Sequence, residues 1–136
     1  MCWFIHGALQ GKVDEETLDA VNRAHACHIV PGTRHDLKIA IVNQTWDYRV
    51  TEGCCDCESE IGAHDPDAEE VLDLAGLIAA LSALPGAESL SLSKSWDGER
   101  NKHERNLKLS GLDLRQWLAD LEPNTLYTVH LKRRTP

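Results

Sequence analysis

An α+β fold two layers deep is what this sequence predicts, on three observations. Apolar residues alternate with polar ones along several short runs, and they recur at helical spacing along three others. The two kinds of run interleave as strand, helix, strand, strand, helix, strand, followed by a further helix and strand. The opening six-element order is that of a ferredoxin-like or split β-α-β core, so the C-terminal helix and strand are read as an addition to it.

Residues 2–9 open the chain with Trp3, Phe4 and Ile5 and run into Gln10-Gly11, a strand followed by a turn. Asp14 is placed to cap a helix, because its carboxylate can accept from the unpaired amides of Glu16 and Thr17, and Leu18, Val21 and Ala24 follow at helical spacing. That helix is expected to end near Cys27-His28, with Pro31-Gly32 as the break. Residues 37–42 read as a second strand and 46–51 as its return, with Trp46, Tyr48 and Val50 on one face. Residues 58–67, holding Gly62 and Pro66, read as a loop. The clearest helix covers 68–84, where Val71, Leu74, Ala75, Ile78 and Leu81 form one stripe and Pro85-Gly86 stops it.

Residues 89–96 alternate leucine with serine, so the serines are expected on an exposed strand face. Asp97-Gly98 offers a hairpin turn, and Leu107 and Leu109 are expected in a short partner strand. A helix over 112–121, closed by Glu122-Pro123, and a strand over 126–131 complete the chain. At 136 residues with 42% hydrophobic content, the chain suits a single domain, 1–136, that needs neither a disulfide nor a metal merely to fold. A cluster of ligands therefore needs its own explanation.

That cluster is Cys54-Cys55-Asp56-Cys57, which contains both a Cys-x-x-Cys and a Cys-x-Cys spacing. Two thiolates at either spacing reach one ion, but a structural zinc site takes four Cys or His ligands, so the rest must come from elsewhere. In a split β-α-β core the first and third strands are antiparallel neighbours. Cys2 would then face Cys54, and the first helix would deliver Cys27-His28 to the same edge. His64 follows in the same loop as Cys57. The candidate metal ligands are therefore Cys2, Cys54, Cys55 and Cys57, with Cys27, His28 and His64 in reserve. Zinc is the expected metal and an iron–sulfur cluster the alternative. The neighbouring carboxylates Asp56, Glu58 and Glu60 disfavour a reactive thiol unless a metal or cation offsets them.

Met1-Cys2, then Gly53-Cys54 and Cys57, then a strand ending in Trp96-Asp97-Gly98-Glu99, resemble a group of small uncharacterised bacterial proteins showing Met-Cys, Gly-Cys-x-Cys and a strand ending in Trp-x-Gly. This chain departs from the pattern in its Cys-Cys-Asp-Cys, so either Cys54 or Cys55 matches the first central cysteine. The resemblance implies no activity. It does imply that Cys2 and the central cysteines belong together.

A net charge of −8 and the lack of a basic stripe oppose nucleic-acid binding, since phosphates are held by Lys and Arg. The start lacks a basic segment before its apolar residues, and residues 71–84 fall short of a bilayer span; no membrane partner is expected. Five cysteines without a secretory signal point to a reducing, cytoplasmic setting. The leading functional expectation is a non-catalytic metal-binding domain. A thiol redox or sulfur-handling enzyme using Cys54 and Cys57 is one alternative, and an acidic immunity or regulatory module that binds another protein is the other.

Overall fold

The computed structural model describes residues 3–25, 28–31, 45–49, 56–96 and 101–131. Six strands and three helices follow in the order β1 (Trp3–Gly11), α1 (Glu15–Ala24), β2 (His28–Pro31), β3 (Thr45–Arg49), α2 (Glu69–Ser82), β4 (Ala87–Trp96), β5 (His103–Lys108), α3 (Leu114–Ala119) and β6 (Thr125–His130). One mixed sheet runs β2-β3-β1-β4-β6-β5. Its first four strands are antiparallel to every neighbour, in the order and senses that a split β-α-β core requires.

The helices share one side of the sheet. Leu18 of α1, Val71, Leu74, Ile78 and Leu81 of α2, and Leu118 of α3 join Ile5, Leu9, Leu90, Leu92 and Val129 in a single buried cluster. Those strand residues are alternate positions facing one way, which makes the described molecule two layers deep. Asp14 caps α1 as expected, accepting from the Thr17 amide at 3.3 Å and the Thr17 hydroxyl at 2.8 Å.

Three expectations need correction. Helix α1 stops at Ala24 and not near Cys27-His28, and His28–Pro31 forms an edge strand where a break alone was expected. With just Ile29 and Val30 as apolar residues, β2 carries almost no strand signal, and an edge position tolerates its proline. The expected strand over 37–42 lies outside the described residues.

The second correction concerns the chain after Trp96. Strand β5 is no hairpin partner of β4; it pairs in parallel with β6, which lies between them. The β5-α3-β6 run is thus a crossover unit, the helix supplying the length that parallel pairing demands.

The third concerns the serines of β4. Ser91 and Ser93 are 0% exposed, and Ser89 and Ser95 are also buried. Alternation correctly separated them from the leucines, but β4 is flanked by β1 and β6, and its hydroxyls are drawn into contacts within the fold. Ser89 Oγ donates to Gln10 Oε1 at 2.9 Å and Ser93 Oγ to Asn101 Oδ1 at 2.7 Å.

Candidate functional site

The loop between Asp56 and Asp67 carries Cys57 and is tied to elements across the helical layer. At its start, Asp56 hydrogen-bonds to β1 beyond the last described β1–β3 pair, His6 and Arg49. Its amide donates to Trp3 O at 2.8 Å and its carboxylate accepts from the Ile5 amide at 2.7 Å. Asp56 is only 2% exposed, whereas Cys57, the next residue, is exposed. The peptide thus turns its carboxylate inward to satisfy β1 and its thiol outward.

Further along, Ser59 Oγ and the Glu60 amide donate to the Glu70 carboxylate in the first turn of α2. Lys94 of β4 reaches across from the sheet and donates to Ile61 O at 2.8 Å. The Gly62 and His64 amides donate to Leu118 O and Ala119 O, satisfying carbonyls that the C-terminus of α3 leaves open. Arg115 of α3 donates to Pro66 O and pairs with Asp67. A loop so anchored holds its exposed thiol in one place.

Electrostatics at the β1 end centre on Lys94. Partial burial lowers its ammonium below the usual lysine range, while the negative charge of Glu70, then Asp56 and Cys57, works in the opposite direction. Neither Lys94 nor Glu70 stood out in the sequence. The available signal was a lysine in the inward row Leu90, Leu92, Lys94, Trp96, an out-of-place charge among apolar residues. Trp96, in turn, meets Trp3 edge to face with ring centres 5.1 Å apart, closing this end of the sheet.

The predicted ligands divide as follows. His28 opens β2 opposite Arg49, which is itself opposite His6, so the start of β2 lies at the same end of the sheet as Trp3 and Asp56. From β2 to β1 is two strand spacings, roughly 10 Å. Cys2, Cys27, Cys54 and Cys55 lie outside the described residues. In the sequence, Cys2 precedes Trp3, Cys27 precedes His28 and Cys55 precedes Asp56.

His64 is placed differently, at the α3 end of the loop. Its Nδ1 lies 2.9 Å from Asp120 Oδ1, and Gln116 Nε2 donates to the other oxygen of that carboxylate. These two hydrogen bonds hold the exposed Asp120 carboxyl below its usual range. Cys57 and His64 are thus anchored to different elements, β1 and α3. Among the described residues no three His, Cys, Asp or Glu side chains gather as a metal site would require, and no helix is long and apolar enough to cross a membrane. No protein-family model, no curated protein and no solved structure matches this chain.

Proposed function

We propose that this protein binds a metal ion through Cys2, Cys54, Cys55 and Cys57 at the β1 end of the sheet, and that the bound ion is structural. The observation that carries this reading is the double hydrogen bond between Asp56 and the Trp3–Ile5 segment. It joins, residue to residue, the sequence neighbours of Cys2 and of Cys55. Cys57 is already exposed from an anchored loop, and Cys27-His28 borders the start of β2 at the same sheet end.

Zinc fits the chemistry best, since four thiolates satisfy its tetrahedral preference and the site needs no open position if no reaction occurs there. Elemental analysis of protein purified without chelator or oxygen tests the reading. Stoichiometric zinc, lost in Cys54→Ser and Cys57→Ser, is the expected result. Protein with no stoichiometric metal overturns it, and brown colour with iron and sulfide replaces zinc by a cluster.

One observation favours a second reading, thiol chemistry at Cys57. The thiol is exposed on a loop held by hydrogen bonds to β1 and α3. Alkylation separates the two: a single fast-labelling thiol in metal-free protein supports redox or sulfur-handling chemistry, and uniform slow labelling rejects it.

A further inference from the structure

Strand β5 ends the sheet formed by the described residues. It pairs with β6 alone among the described residues, and every residue of it except the half-buried Leu107 is exposed. Successive residues of a strand direct their backbone groups to opposite sides. The Leu109 amide donates to His130 O at 3.0 Å in the register of the parallel β5–β6 ladder, which places the groups of His103, Arg105 and Leu107 towards β6. The outward-facing backbone groups of the strand therefore belong to Glu104, Asn106 and Lys108.

We infer that the protein self-associates through this edge, β5 of one copy pairing antiparallel with β5 of a second about a two-fold axis at Asn106. Charge selects the register. With the axis at Asn106, the two copies of Asn106 exchange backbone hydrogen bonds with each other, and Glu104 exchanges them with the partner's Lys108. Glu104 then stands directly opposite the partner's Lys108, and Lys108 opposite the partner's Glu104, as cross-strand pairs of opposite charge. An axis at Arg105 would set two arginines face to face and Lys102 against the partner's Lys108. An axis at Leu107 would pair neither Glu104 nor Lys108 with an opposite charge.

Charged residues on an edge strand ordinarily block pairing with other chains. Here the charges complement themselves under two-fold symmetry, so the same residues that exclude other strands admit an identical one. Leu107, Leu109 and Leu112 are only partly buried at this margin of the core, and continuation of the sheet would cover apolar surface there.

Sedimentation velocity over a range of protein concentrations, with reductant present to exclude disulfide dimers, tests the inference. A monomer–dimer equilibrium that weakens with salt is expected. Glu104→Lys and Lys108→Glu, each placing like charges opposite one another twice, should each weaken the dimer about tenfold or more. The double exchange Glu104→Lys/Lys108→Glu should restore it. Circular dichroism of each variant establishes that the fold is kept, which these exposed positions favour. A monomer at all concentrations overturns the inference, as does a dimer indifferent to both single changes.

Discussion

The Asp56 carboxylate accepts the Ile5 amide at 2.7 Å, so a side chain from 51 positions away satisfies a backbone donor of β1. Ile5 is fully buried, and its amide has no access to water if that oxygen is removed. Asp56→Ala should therefore cost about 1–3 kcal/mol, the penalty of an unsatisfied buried donor. Urea unfolding midpoints would show this, with the exposed Glu58→Ala as the comparison that should change little.

Lys94 makes alkaline stability depend on one amine. Its proton is held less tightly in the folded protein than in the unfolded chain, whose lysine value is 10.5. Between the lowered value and 10.5 the unfolded chain binds more protons, so this group's contribution to stability rises with pH across that window. Lys94→Met, which keeps the aliphatic stem, should flatten the rise. Unfolding midpoints collected from neutral pH to pH 10 would reveal the difference in slope.

Tyr127 contributes with the opposite sign. Burial raises its phenol above 10.0, only partly offset by the hydrogen bond it accepts from the Glu122 amide at 3.1 Å. Stability from this group is fully present below pH 10.0 and is lost as pH rises through the higher folded value. The chain has two tyrosines. An ultraviolet titration should contain a late step that disappears in Tyr127→Phe; an unchanged curve in that variant would refute the assignment.

Two glycines with similar backbones should respond unequally. Gly86 (φ +87) and Gly111 (φ +84) both occupy the left-handed region, but a Cβ on Gly86 would collide with Lys12 O, while one on Gly111 meets nothing within 4 Å. Gly111→Ala should cost about 1–2 kcal/mol from backbone strain alone. Gly86→Ala should exceed that by a further 1–3 kcal/mol, roughly the penalty of overpacking. Thermal or urea denaturation of the pair decides it.

Much of the architecture was legible because it rests on local pattern. The stripe from Val71 to Leu81, the cap at Asp14 and the leucine–serine alternation of β4 each express a period that the backbone geometry imposes, and each is where the sequence placed it. From those periods followed the α+β class, and from the split β-α-β order expected for it the antiparallel pairing of β1 with β3, near which Asp56 bonds the start of β1. Of the candidate site, the sequence supplied the thiols themselves.

What it could not supply were relations between residues far apart in the chain. Asp56 looked like one more acid in a polar loop, yet an unpaired amide 51 positions away draws it inside. The serines of β4 looked solvent-facing, since alternation distinguishes two faces of a strand without saying what lies beside either. Whether β5 paired with β4 or with β6 depended on which neighbour could satisfy its backbone, and α3 made the parallel choice possible. Periodicity is a property of each segment by itself. Burial of a particular polar atom is settled only when a distant segment arrives with the complementary hydrogen-bonding group.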